Sequence, residues 1–318
     1  MTGVTGVTAL APFVARGPAT PGHGEVRVGA GRRVIRVPPF APPSGSPSEP
    51  ALALASAGGD GGAVSSTRGS PPIGADGAGQ PPSPEAALAR TIARLDRLHV
   101  TRDQPAAPEE ARRLADQAVA SFPTSAEILW RAARAYFTLA DLPAETSPPR
   151  SPSQRSQLGK TAWDLAERAV AAGPELAPAH YWAALAIGSY AEGIGVLKAL
   201  TTGIEGKFKG HLQRATELDP TYDHGSIPVV WAAYFLEVPW PKRDRARAEQ
   251  QLELALRINP DNLRARLYQA RLFADTGRRA AARARLAEIA AAPVGRYDPP
   301  EERRVEKEAA ELATKLAE

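Results

Sequence analysis

The 318-residue chain has no cysteine, a single methionine and only five histidines, and each shortage removes a class of chemistry. Without cysteine there is no disulfide, no thiolate zinc site, no cysteine nucleophile and no lipid-bearing N-terminal cysteine. The histidines stand at 23, 99, 180, 211 and 224. No two of them are spaced as an i, i+4 ligand pair and no HExxH occurs, so the zinc-peptidase pattern is excluded. Charge of one sign is also lacking. The net charge is +4, with Arg and Lys mixed among Asp and Glu, so nothing marks a nucleic-acid partner. The sequence implies no cofactor and no resident metal.

Long apolar runs are missing too. The best candidate for a membrane span, YWAALAIGSYAEGIGVLKAL (181–200), carries Glu192, Lys198 and three glycines, which make insertion costly. It reads instead as a buried helix over 179–190, with Gly193 and Gly195 permitting a bend or close packing before an extension to about Leu200. At the N-terminus, the apolar run from Val7 to Ala15 has no basic flank before it and is broken by Pro12. No secretory signal is predicted, which favours the cytoplasm over the periplasm.

Residues 1–83 hold 16 of the 27 glycines and 13 of the 31 prolines, with phenylalanine only at 13 and 40. So little large apolar surface cannot offset the entropy of ordering, and a disordered tail is predicted there. The folded domain is expected over 84–318.

What is present is a repeat. Four segments, AVASFP (118–123), AVAAGP (169–174), ATELDP (215–220) and ALRINP (255–260), each place an alanine five residues before a proline. Seven residues upstream of those alanines stand Ala111, Ala162, Phe208 and Ala248. After each proline comes a second helical pattern: ILWRAARAYFTLA (128–140), HYWAALAIGSYA (180–191), IPVVWAAYFLE (227–237) and LRARLYQARLFADTG (263–277). Large residues alternate there with alanines at helical spacing, so paired helices can approach closely.

This pattern resembles the tetratricopeptide repeat, matched best by Ala270, Phe273, Gly277, Ala282 and Pro293. The expected fold is an all-α solenoid of about five helix pairs with a C-terminal capping helix near Pro299–Ala317. Two segments depart from a plain array, 142–157 between the helices of the second repeat and 192–206 in the third. The stretches ILWRAARAY, AHYWAALAIGSYAEGIGVLKAL, LQRATELDPTYDHG and AAYFLEVPWPKRD resemble, over about 125–293, the T-component of TRAP transporters and the related repeats of regulators of microtubule dynamics. The T-component resemblance implies a periplasmic partner, a substrate-binding protein for organic acids or other hydrophobic ligands.

Candidate chemistry is sparse. GIEGKFKG (203–210) lacks the Ser or Thr of a phosphate loop, Phe208 standing in its place, and reads as a glycine-bounded helix start. DPTYDHG (219–225) could offer His224 with Asp219 and Asp223 to a metal, and reads more simply as a helix stop, turn and cap. On the concave side of a solenoid, Trp130, Arg134, Phe137, Tyr181, Arg264, Leu267 and Arg271 are expected to face a groove, with Tyr136, Ala183 and Tyr234 packed inward. Arg134 and Arg271 either hold a carboxylate in bidentate fashion or are ordinary solvated arginines. Lys198 and Lys207 lie in the departing segment and are candidates for partner contact. Two readings follow. One is a non-catalytic scaffold holding a partner protein or peptide in its groove; the other is a small-ligand-binding component working with a transporter's substrate-binding protein. An open polar groove favours the first, and a closed apolar pocket near Trp182 and Trp231 favours the second.

Overall fold

Each helix-closing alanine of the repeat makes the same bond. In the computed structural model, which describes residues 83–142 and 150–317, the amides of Phe122, Gly173, Asp219 and Asn259 donate to the carbonyls of Ala118, Ala169, Ala215 and Ala255. The residue three further on, Ser125, Leu176, Tyr222 or Asn262, then donates back to that capping residue. The proline follows each cap and cannot continue the helix, so the chain turns identically four times. The four alanines are at most 2% exposed because a partner helix lies directly on them.

The described residues form twelve helices: α1 (Pro84–Val100), α2 (Ala107–Ser121), α3 (Ala126–Ala140), α4 (Pro152–Ala172), α5 (Ala177–Ile194), α6 (Val196–Thr201), α7 (Ile204–Leu218), α8 (Tyr222–Glu237), α9 (Arg245–Ile258), α10 (Leu263–Asp275), α11 (Arg279–Ala291) and α12 (Pro299–Ala317). Among the described residues there is no strand. Five antiparallel pairs result: α1 with α2, α3 with α4, α5 with α7, α8 with α9, and α10 with α11. The expected disordered tail, 1–83, lies outside the described residues apart from Ser83, which caps α1 by accepting from the amide of Ala86.

The described parts of the two departing segments are largely helical. Of 142–157, residues from Pro152 onward form the first turns of a 21-residue α4, opened by a reciprocal cap between Ser151 and Gln154. That extra length runs along α5, where a Cβ on Gly159 would come within 2.7 Å of the Tyr190 nitrogen and one on Gly193 within 2.5 Å of the Ser156 nitrogen. Backbone lies on backbone there, which is why the long apolar stretch carries glycine. Gly195, at φ 89°, then breaks the helix, and α6 turns the chain toward α7.

A continuous apolar core runs from Leu95 through Ile128, Trp182 and Phe208 to Val238. A second lies between α8, α9 and α10, and a third joins Leu263, Leu267, Leu286 and Ile289 to Val305 and Ala309 of α12. The last helix therefore packs on the final repeat, as a cap does. It also does something a cap need not do, because its first turns reach back to the start of the domain.

Candidate binding cavity

Between α12 and the inner side of α1, α3, α5, α8 and α10 lies a cavity of about 440 Å³. Its apolar wall is aromatic. Trp182 sits edge-on to Phe137 at 5.5 Å and to His99 at 6.0 Å, while Tyr181 packs on Tyr222 at 5.1 Å between ring centres. Helical spacing along α5 places Tyr181, Trp182 and Leu185 on this side, and burial on nearly every side explains why that helix is so apolar. Such edge-to-face rings fix one another more tightly than area alone would.

The wall opposite is ionic and comes from α12. Arg264, 5% exposed, donates to Glu301 at 2.7 Å and to Glu308 at 2.8 Å, and Arg271 reaches Glu308 at 2.7 Å. Three further pairs join the α12 region to the first repeats: Arg102 with Asp298 at 2.6 Å, Arg303 with Asp103 at 2.5 Å, and Arg304 with Asp141 at 3.1 Å. The turn into α12 is held by Glu302, which accepts from the amides of Gly295, Arg296, Tyr297 and Asp298. Burial opposes its charge, yet these four donors hold its carboxyl below the ordinary range. Burial pushes Asp141 the other way, up, against the pull of Arg304.

One polar atom in this wall is left over. Arg304 spends Nη1 on Asp141 and Nε on Glu308, whereas its Nη2 is buried without a hydrogen-bond partner. A guanidinium N–H in that condition costs free energy until an acceptor arrives. The backbone is strained at the same wall: Asp223 and His224 lie at φ 51° and 55°, in the left-handed region, so regular helix in α8 begins only after Gly225.

The residues expected at the groove meet different fates, and Arg264 shares two of them. Arg134, Phe137, Tyr181 and Arg264 line the cavity. Arg264, Leu267 and Arg271 face inward as their register requires, but α12 already occupies that face: Leu267 is fully buried against it and both arginines are spent on its carboxylates. Arg134 is not a solvated surface arginine either, being 8% exposed and bound to Asp96 at 2.6 Å. Trp130 lies away from the cavity beneath Arg131 and Arg134. Lys198 and Lys207 are exposed and outside it, Lys207 resting over the Trp163 ring. Ala183 and Tyr234 are buried as expected, while Tyr136 is only half-buried, with its hydroxyl on Asp116.

Sequence reasoning missed His99, Arg102, Tyr222 and Arg304. Tyr222 sat inside DPTYDHG, whose turn character was visible, but its inward ring was not. Asp219 there binds the amide and hydroxyl of Thr221, and His224 stacks on Tyr297 at 4.6 Å. Among the described residues no group of three or more His, Cys, Asp or Glu is arranged to hold a metal ion. Trp231 is not on the cavity wall and belongs to a separate stack with Phe235.

No described helix is long and apolar enough to cross a membrane. In fold, the chain is similar to a thermophilic TPR protein of Thermus thermophilus, with a TM-score of 0.51 at 18% identity over 71% of this chain and 99% of that one. In sequence, it is similar to regulator of microtubule dynamics protein 3 of Mus musculus, 32% identical over 123 residues, and to that of Rattus norvegicus, 31% identical over the same length. Those segments cover 38% of this chain and about a quarter, 24%, of each relative. The T-component half of the sequence resemblance gains no support from these matches. The family model for regulator of microtubule dynamics protein 1-3 matches residues 91–317, from within α1 to the end of α12, and the chain belongs to that family.

Proposed function

We propose that the protein is a non-catalytic adaptor that takes a short segment of a partner protein into the cavity beneath α12. The observation that carries this reading is the cavity itself: about 440 Å³ walled by Phe137, Tyr181, Trp182 and Leu185 on one side and by Arg304, with its unpartnered Nη2, on the other. An apolar side chain fits the aromatic wall, and a carbonyl or carboxylate oxygen beside it satisfies the arginine. The tetratricopeptide-like fold supports this use, since such arrays present concave surfaces to peptides.

A second reading is a small apolar ligand bearing one acceptor group. It is favoured by closure of the groove, because α12 leaves a space within the range of about 300–1,000 Å³ typical of small-molecule pockets. The T-component resemblance would make such a component the companion of a transporter's substrate-binding protein.

Leu185→Trp fills the apolar end of the cavity without touching the ion pairs. Native mass spectrometry and pull-down from the source organism, on parent and variant, test the proposal. A co-purifying protein lost in Leu185→Trp supports the adaptor. A co-purifying small molecule lost in the same variant moves the assignment to the second reading.

A further inference from the structure

Away from the cavity, three helices bring two histidines together in an arrangement that neutral imidazoles cannot satisfy alone. His180 of α5 and His211 of α7 place their Nδ1 atoms 3.2 Å apart. The other nitrogen of each ring is already committed. Nε2 of His180 lies 3.0 Å from the carbonyl oxygen of Pro174, which can only accept, so the proton of His180 sits on Nε2. Nε2 of His211 lies 3.4 Å from Oε1 of Glu167 on α4, and that oxygen also accepts from the Trp163 indole at 2.8 Å. A carboxylate likewise only accepts. Both Nδ1 atoms then carry bare lone pairs 3.2 Å apart, and something positive belongs between them.

We propose that His180 and His211 form a site for a divalent transition-metal ion of the zinc, copper or nickel class, bound through the two Nδ1 atoms. The spacing fits. A tetrahedral ion with metal–nitrogen bonds of about 2.0–2.1 Å holds two imidazole nitrogens about 3.3 Å apart. The surroundings fit as well, since metal-binding histidines donate their second N–H to a carbonyl or carboxylate, and Pro174 and Glu167 supply one of each. A proton is the competing occupant of the gap between the two rings. Arg214 is tied to Glu175 and Glu217, and Lys207 to the face of Trp163. The protein supplies two ligands, so water completes the coordination.

Isothermal titration of tag-free, full-length protein with zinc chloride, with magnesium chloride as the control, tests the site. The expected result is one equivalent of zinc, bound at least tenfold more weakly by His211→Ala and equally well by His224→Ala. Glu167→Gln leaves both imidazoles in place and removes only the carboxylate, so zinc binding should weaken about 10–100-fold with the fold intact. Because Glu167 is partly exposed, that variant keeps the test alive if His211→Ala misfolds. Zinc binding no tighter than magnesium, or equally tight in His211→Ala and Glu167→Gln, overturns the proposal. So does nitrogen-15 NMR showing a shared extra proton on the pair with no zinc uptake.

Discussion

Trp182 has two roles that a substitution will not separate. It is 8% exposed, packed between Phe137, His99 and Tyr181, and it also faces the cavity. Truncation to alanine should cost about 3–5 kcal/mol, measured by denaturant melts, before any loss of binding can be interpreted. Arg264→Ala should be of similar size, about 3–5 kcal/mol, because it removes the buried guanidinium that pairs with both Glu301 and Glu308 of α12. Glu192 gives the pH dependence. Burial, then the nearby charge of Asp141, raises its pKa from 4.5 to about 8 despite Arg155. A carboxyl whose pKa is raised on folding stabilises the fold relative to its charged form at low pH, and that contribution falls as pH rises from about 4.5 through about 8. The melting temperature should therefore drop between about pH 4.5 and about pH 8, and Glu192→Gln should flatten the drop; an identical slope in the variant would refute the assignment. These roles were not legible in the sequence. An arginine at helical spacing looks the same whether solvent or a carboxylate some forty residues away faces it.

At the level of elements, the repeated turn was legible and the destination of α12 was not. The alanine-to-proline spacing is local, since one capping bond and one steric stop produce it each time, so the pattern survives in a linear reading. The ends of α12 were predicted correctly for the same reason, from Pro299 and its charged run. Where the helix lies depends on Arg102 meeting Asp298 and Asp103 meeting Arg303, pairs separated by 196 and 200 residues that leave no periodic trace. Deleting Pro299–Glu318 should expose Leu263, Leu267, Leu286 and Ile289 and leave Arg264 and Arg271 without partners. Size-exclusion chromatography should then show aggregation, with a lowered melt. A monomer with the parent's melt would mean that the helix adds nothing to the last repeat.

For the whole molecule, an ordinary solenoid is held by neighbour-to-neighbour contacts, and its ends unravel independently. Here both ends of the helical array are tied through α12, so unfolding should be one transition shared by the first and last repeats. Residues 1–82 are poor in large apolar side chains, and we expect their removal to leave that transition nearly unchanged, as thermal melts of full-length and shortened chains would show. The closure has a kinetic consequence. The ties that shut the cavity span 163 to 200 residues, and the most exposed of them, Arg303 with Asp103, has side chains 50% and 36% exposed, so that tie contributes little singly and is screened by salt. Whatever is enclosed would leave only when those ties part. Its residence time would then be set by how often the α12 end swings open, shortening as ionic strength rises, even where the grip of the aromatic wall stays the same.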